Sequence, residues 1–126
     1  MRHVIFPLIA LLAFAVSAPA QEKDVSMSEV ALFLTVKTQP GKRDELVALW
    51  EEHLQGRAES NDAQVRYVFA LDMNDADTIR ISEVYATMAA FEANSQEPFF
   101  AAYMQAAFPL LAGEPEFHMA IPHWVK

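Results

Sequence analysis

The chain has 126 residues, with seventeen acidic side chains against nine basic ones and a net charge of −8 at pH 7. A surface this acidic repels phosphate backbones and anionic lipids, so we expect no nucleic acid or membrane surface as a partner. The chain has no cysteine, which excludes disulfides and thiolate sites. Its length suits one small domain.

The first twenty residues have the organisation of a secretory signal peptide. Arg2 and His3 precede an apolar run of 13 residues, and small residues follow it up to Ala20. This run is shorter than the roughly 20 residues that a transmembrane helix needs. The sequence therefore predicts a signal peptide over residues 1–20, a flexible tail over residues 21–28 and a periplasmic or secreted domain over residues 29–126. A retained membrane anchor is the alternative; after cleavage we expect no membrane attachment.

The first part of the domain predicts a strand, a turn and a helix. Residues 29–37 are apolar on both faces, which predicts a strand covered on both sides. Pro40 and Gly41 then stand in the order that a type II turn prefers. Apolar residues at helical spacing predict a helix over residues 43–57, and the polar residues 58–64 predict a loop.

The rest of the domain predicts three strands and two helices. They are a strand over residues 65–71, a strand ending at Tyr85, a short helix capped by Thr87, a helix over residues 98–108 and a last strand over residues 116–124. The β-α-β-β-α-β order predicts an α+β, ferredoxin-like fold, with a four-stranded antiparallel sheet covered by helices on one face. The uncovered face would also carry apolar residues such as Phe33, which predicts a homodimer built sheet against sheet.

Glu83 is an unusual residue in the third predicted strand, because it shares an inward-looking face with Ile81 and Tyr85. A carboxylate in such a place must find a partner or stay neutral. One interpretation is an ion pair with Arg66 or Arg80. The other is that Glu83 orients a tyrosine or acts as a base.

Several short motifs follow one another in a fixed order along the domain. They are the turn from Lys37 to Glu45, the pair Glu83 and Tyr85, the Ala-Phe-Glu-Ala run from Ala90 to Ala93, Pro98 with Phe100, and the segment from Pro109 to Pro115. In this order they resemble the antibiotic biosynthesis monooxygenase family, whose members pair two sheets into a dimeric α+β barrel. The resemblance covers most of the predicted domain.

The resemblance implies oxidation of a small aromatic, phenolic or quinol molecule by dioxygen, without a metal or other cofactor. In such chemistry the deprotonated substrate supplies the electrons, and the protein supplies an apolar pocket and polar groups that handle the proton. Tyr85 and Glu83 are the candidate catalytic residues. The candidate substrate-binding residues are Phe33, Tyr67, Asn94, Phe100, Tyr103, Met104 and His118.

The chain departs from the family pattern at two of these positions. Tyr85 stands where the family usually has Trp, and Asn94 stands where a His is frequent. Haem-degrading relatives use an Asn on the first strand, where this chain has Phe33, and a His ligand in the second helical region, which here has none. We therefore do not expect haem degradation. The alternative function is a non-catalytic, periplasmic ligand-binding or stress-associated module on the same fold.

Overall fold

The computed structural model describes residues 28–126, so the predicted signal peptide and residues 21–27 of the predicted tail lie outside the described residues. Its elements are β1 (Val30–Lys37), α1 (Arg43–Trp50), a π-helical segment (Glu51–Gln55), α2 (Gly56–Ser60), β2 (Gln64–Leu71), β3 (Thr78–Tyr85), α3 (Met88–Ser95), α4 (Pro98–Ala107), a 3-10 turn (Phe108–Leu110) and β4 (Glu116–Ala120). Among these elements no helix has the length and apolar character needed to cross a membrane. The predicted β-α-β-β-α-β order and ferredoxin-like fold are confirmed.

The four strands form one antiparallel sheet in the order β2-β3-β1-β4. Successive side chains of a strand point to opposite faces of the sheet. In β1, Leu34 and Val36 therefore point toward the helices, whereas Phe33 points away from them. We call the two sides of the sheet the inner face, which the helices cover, and the open face.

The core on the inner face consists of two clusters of buried residues. One cluster lies at the end of β1 and contains Val36, with Leu46 of α1, Ile79 of β3 and Ala107 of α4. The other lies at the start of β1 and contains Val30, Leu32 and Tyr85, packed against α3. Between the two clusters the helices and the sheet do not close completely, and a cavity lies in this gap.

Local sequence signals set the entry to two helices. Gly41 has a φ of +78°, a conformation that glycine adopts without a steric penalty, and the N–H of Lys42 donates to the carbonyl of Gln39 at 3.0 Å. Thr87 caps α3, because its Oγ1 accepts a hydrogen bond from the N–H of Ala90 at 3.0 Å. The predicted turn and the predicted cap are confirmed.

The structure differs from the prediction at two element boundaries. The first helical region continues to Ser60 and passes through a π-helical segment, because Arg57, Ala58 and Glu59 are good helix formers despite the polar stretch they introduce. The last strand ends at Ala120 instead of residue 124. Pro122 has no N–H to donate to a sheet ladder, which explains the earlier end.

The open face carries exposed apolar side chains at its centre. Phe33 is 50% exposed and Val68 is 40% exposed. At one end of the sheet the guanidinium of Arg66 on β2 donates to the carbonyl of Lys126 at 3.2 Å. Since β4 lies at the opposite edge from β2, the chain after Ala120 crosses the width of the sheet to reach this contact. It leaves Phe33 and Val68 open to solvent.

Candidate functional site

A cavity of about 340 Å³ lies between the inner face of the sheet and the helices. Most of its wall is apolar, as is usual for sites that take small organic molecules. The sheet supplies its floor, and the first helical region, α3 and α4 supply its sides. The polar or ionisable side chains on its wall are Arg57, Gln64, Tyr67, Glu83, Tyr85, Asn94, Ser95 and Tyr103.

A bulge at the start of β2 determines which side chains of that strand reach the cavity. Gln64 is opposite Tyr85 on β3 and Arg66 is opposite Val84, so Val65 is an extra residue in the ladder. As a result Gln64 lines the cavity, and Val65 is 56% exposed. Val65 does not line the cavity, because the bulge breaks the alternation that would otherwise place it on the same face as Tyr67.

Glu83 is held at the cavity wall by two neutral donors. The Nε2 of Gln64 donates to its Oε1 at 2.7 Å, and the hydroxyl of Tyr85 donates to the same oxygen at 3.2 Å. Asn94 in turn donates from Nδ2 to the Tyr85 hydroxyl at 3.0 Å. Within residues 28–126 the other oxygen, Oε2, accepts no hydrogen bond. One carboxylate oxygen thus fixes the side chain, and the second is available to a molecule in the cavity.

The predicted ion pair of Glu83 with an arginine does not form. Arg80 projects from the open face and donates to Asp72 at 2.6 Å, and Arg66 bonds to the carbonyl of Lys126. Arg80 is three residues from Glu83 on the same strand, and Arg66 is opposite Val84, the residue after Glu83. Both arginines therefore point to the other face, and the sheet lies between them and the Glu83 carboxylate. The other interpretation, in which Glu83 contacts a tyrosine, agrees with the structure.

Burial shifts the pKa of both members of the Glu83–Tyr85 pair. Removal from water raises the pKa of the Glu83 carboxyl, and the hydrogen bonds from Tyr85 and Gln64 only partly oppose this rise. Burial, followed by the nearby charge of Glu83, raises the pKa of the Tyr85 hydroxyl well above its ordinary value. Tyr85 therefore stays protonated at neutral pH, and Glu83 is a stronger base than an exposed carboxylate.

The other two tyrosines of the cavity also remain protonated. Tyr67 lies opposite Glu83 on β2, and its pKa is raised first by burial and then by the Glu83 charge. Its hydroxyl accepts a hydrogen bond from Nε1 of Trp50 at 2.9 Å, and the Trp50 ring stacks on Phe69 with centroids 4.3 Å apart. Burial raises the pKa of Tyr103 to about 12. Glu83 is therefore the candidate proton acceptor among these groups.

Arg57 marks the solvent side of the cavity. It belongs to α2, and its guanidinium carbon lies 4.9 Å from the centroid of the Phe99 ring at the start of α4. The residue is exposed, although it lines the cavity wall. The cavity thus has a cation near solvent and a carboxylate on the sheet.

The structure brings most of the predicted site residues together. Those on the cavity wall are Glu83, Tyr85, Tyr67, Asn94, Phe100, Tyr103 and Met104. Phe33 and His118 are not on the cavity wall. They face each other across the β1–β4 ladder and lie on the open face, because each alternates with an inward-pointing neighbour.

Several wall residues were missed by the sequence analysis. Gln64 was assigned to a loop, and only the bulge, which leaves no mark in the sequence, turns it inward. Arg57, Trp50 and Phe91 line the cavity from the helices. Trp50 and Phe91 lie among apolar neighbours at helical spacing, which is equally typical of ordinary packing, and no sequence pattern marks Arg57. Residues 28–126 contain no group of three or more His, Asp or Glu side chains that is placed to bind a metal ion.

Comparisons with known proteins agree on one family. A family model described as antibiotic biosynthesis monooxygenase matches residues 30–106. A Chloroflexus aurantiacus protein, provisionally assigned to antibiotic biosynthesis monooxygenases, is 28% identical, with a TM-score of 0.68 over 79% of this chain and 97% of that chain.

Two further solved structures share the fold. A Caulobacter crescentus protein with the same provisional assignment is 19% identical, with a TM-score of 0.72 over 78% of this chain and 92% of that chain. A Nitrosomonas europaea protein of unknown function is 22% identical, with a TM-score of 0.66 over 80% of this chain and 95% of that chain. A search of curated proteins found no match.

Proposed function

Since this chain belongs to the antibiotic biosynthesis monooxygenase family, we propose that it oxidises a small phenolic or quinol molecule with dioxygen and without a cofactor. The proposal rests on the hydrogen bonds and the raised pKa of Glu83. Its Oε1 is held by Gln64 and Tyr85, its Oε2 accepts no hydrogen bond within residues 28–126, and its pKa is raised. A base of this kind matches the first step of the reaction, which is removal of a phenolic proton.

In the proposed first step, Glu83 Oε2 accepts the proton of a substrate hydroxyl and the substrate becomes a phenolate. The phenolate then transfers one electron to dioxygen, which gives a substrate radical and superoxide. These two combine through a new carbon–oxygen bond to give a peroxide anion, which takes the proton held by Glu83 and becomes a hydroperoxide. The same substrate carbon then loses its proton as the O–O bond breaks. One oxygen stays on the substrate as a carbonyl, and the other leaves as hydroxide, which takes up the proton lost from carbon to become water.

The remaining groups of the cavity support this sequence. The apolar wall excludes water, which would otherwise stabilise the phenolate and protonate reactive intermediates. Tyr85 and Asn94 act as positioning residues, because they fix Glu83 through a chain of hydrogen bonds at 3.2 Å and 3.0 Å. The rings of Trp50, Phe91 and Tyr103 provide flat surfaces on which an aromatic substrate can stack.

Oxygen uptake with a panel of hydroquinones and anthrones tests the proposal. We expect one dioxygen consumed per substrate, one atom of ¹⁸O₂ incorporated into the product, and little hydrogen peroxide. Uptake that yields hydrogen peroxide and no incorporated oxygen would indicate a simple oxidase. Complete absence of uptake across the panel would contradict the proposal.

A second candidate function is a binding module without turnover. Tyr85 favours it, because the residue is only 2% exposed and its hydroxyl is already engaged by Glu83 and Asn94. In this candidate the network holds the wall of the pocket in shape and transfers no proton. Saturable binding of the same aromatic molecules without oxygen uptake would support it over the enzyme.

We further propose that the protein works outside the cytoplasm as a homodimer. The N-terminal sequence pattern supports export, and the exposed Phe33 and Val68 support association through the open face. N-terminal sequencing of the exported protein tests the first proposal, with a start at Gln21 as the expected result. Sedimentation equilibrium at micromolar concentration tests the second, with a dimer as the expected result.

A further inference from the structure

Arg57 contributes the cationic side chain of the cavity wall within the described part of the chain. It has solvent on one side and the ring of Phe99 on the other, with the guanidinium carbon 4.9 Å from the ring centroid. Among residues 28–126 the guanidinium forms neither a hydrogen bond nor an ion pair. By contrast, Arg43, Arg66 and Arg80 each donate to a carbonyl or a carboxylate.

The contact with Phe99 leaves the hydrogen-bonding capacity of Arg57 intact. Since the guanidinium donates no hydrogen bond among residues 28–126, its N–H groups are available to a ligand. Two of these N–H groups match the two oxygens of a carboxylate. The contact with the ring also restricts the rotamers of a long side chain, so less entropy is lost when an anion binds.

The two charges of the cavity would orient an anionic ligand. Glu83 lies on the sheet, and its charge repels a second carboxylate placed beside it. Arg57 lies on the helical side next to solvent, where it attracts one. The protein is acidic overall, with a net charge of −8, so Arg57 is opposite in sign to most of its charged side chains. An aromatic acid would therefore enter with its carboxylate toward Arg57.

We propose that Arg57 is a specificity-determining residue that binds the carboxylate of a hydroxyaryl carboxylic acid. The aromatic body of this ligand occupies the apolar cavity, and its hydroxyl group points toward Glu83. The placement of the hydroxyl rests on the proposed function, whereas the carboxylate contact rests on Arg57 and Phe99 alone. The substrate class is thereby narrowed from phenols in general to phenols that carry an acid group.

Calorimetric titration with a hydroxynaphthoic acid and with its methyl ester tests this inference. The two ligands share the ring and the hydroxyl and differ in the charge. We expect the protein to bind the acid about tenfold more tightly than the ester, as a charge-assisted hydrogen-bonded pair near solvent provides. Arg57→Gln should bind both ligands with equal affinity, and Arg57→Lys should keep part of the preference because it keeps the charge.

Arg66→Gln is the matched control, because it removes an arginine from the open face and leaves the cavity unchanged. This variant should retain the tenfold preference. Equal affinity of the unsubstituted protein for acid and ester, binding of neither ligand, or a preference that persists in Arg57→Gln would overturn the inference. Binding needs no turnover, so a preference for the acid without oxygen uptake would contradict the proposed function and leave the role of Arg57 standing.

Discussion

The two faces of the sheet differ in the partners of their charged side chains. On β3, Arg80 and Glu83 are three residues apart and point to different faces. Arg80 on the open face donates to Asp72 at 2.6 Å and to the hydroxyl of Thr35 at 3.1 Å. Glu83 on the inner face receives only neutral donors, from Gln64 and Tyr85.

This difference shows how the strand period can create a basic carboxylate. A nearby arginine would have stabilised the anion and lowered the pKa of Glu83. Because alternation sends the arginines of β2 and β3 to the open face, burial dominates at Glu83 and raises its pKa. The inner face is thus suited to proton transfer. The open face, with Phe33 and Val68 exposed, is suited to association.

The largest effect should come from removing the base on the inner face. Glu83→Gln keeps an oxygen that can accept from Gln64 and Tyr85, so the fold and the cavity should be preserved. It removes the ability to accept a proton, and loss of a general base lowers turnover by about 10²–10⁴-fold. Initial rates of oxygen uptake at saturating substrate measure this effect.

Glu116→Gln provides the control, because Glu116 is opposite Thr35 on the open face and undergoes the same change of chemistry. Its turnover should equal that of the unsubstituted protein. Undiminished turnover in Glu83→Gln would exclude the carboxylate as the base.

Part of this comparison was predictable from the sequence. The alternation of β3 correctly placed Glu83, Ile81 and Tyr85 on one face, because β3 has no bulge and its period is unbroken. Phe33 differs from these residues, because it was a candidate site residue and lies on the open face, away from the cavity wall. Both faces of β1 are apolar, so local pattern does not determine which face the helices cover.

Two other features of the site depend on structure that no short pattern encodes. The bulge that turns Gln64 inward lies within a run of residues that alternates plausibly in either register. The position of Arg57 follows from the continuation of the helix to Ser60 through a π-helical segment. Both are decided by long-range packing against β3 and α4, so the cavity's polar groups could be predicted only in part.

The second prediction concerns the open face. Phe33→Asp should weaken self-association by at least about thirtyfold, because a central aromatic contact is lost and a charge would have to be buried without a partner. Sedimentation equilibrium at micromolar concentration should show a dimer for the unsubstituted protein and mostly monomer for the variant. Phe108→Asp is the control, since Phe108 is 70% exposed but belongs to the helical layer. A monomer in the unsubstituted protein would end the dimer proposal.

The third prediction tests the link between Tyr85 and Glu83. Tyr85→Phe removes a hydrogen bond that favours the Glu83 carboxylate, so the pKa of Glu83 should rise further. Turnover should fall about tenfold, since the base is kept but held less firmly. The acidic limb of the profile of kcat against pH should move to higher pH, because the base must be ionised to act.

Tyr103→Phe is the matched control for this variant. Tyr103 lines the same cavity, and its hydroxyl makes no hydrogen bond within residues 28–126. Its acidic limb should stay where it is in the unsubstituted protein. An unshifted limb in Tyr85→Phe would show that Tyr85 supports the wall without acting on Glu83.

The smallest expected effect is on the stability of the fold. Its dependence on pH should have opposite signs for Glu83, on the inner face, and for Asp72, which bonds to Arg80 of the open face. Folding raises the pKa of Glu83 above its ordinary value of 4.5, through burial. Folding lowers the pKa of Asp72 below 3.8, through hydrogen bonds from the N–H of Asn74, then from Arg80 and the N–H of Asp75. A buried acid with a raised pKa destabilises the fold once it ionises, whereas an acid with a lowered pKa stabilises the fold while it is ionised.

Thermal unfolding between pH 3 and pH 8 should therefore give opposite trends for Glu83→Gln and Asp72→Asn. Below pH 4.5 Glu83 is protonated in both the folded and the unfolded state, so Glu83→Gln should be as stable as the unsubstituted protein. As pH rises through the raised pKa, the unsubstituted protein loses stability, and the variant becomes the more stable of the two. Asp72→Asn should be less stable than the unsubstituted protein at neutral pH. This difference in stability should shrink as pH falls from 3.8 through the lowered pKa, because the unsubstituted protein then loses the same interactions. If the two differences changed with pH in the same direction, the assignment of opposite electrostatic roles to the two carboxylates would be wrong.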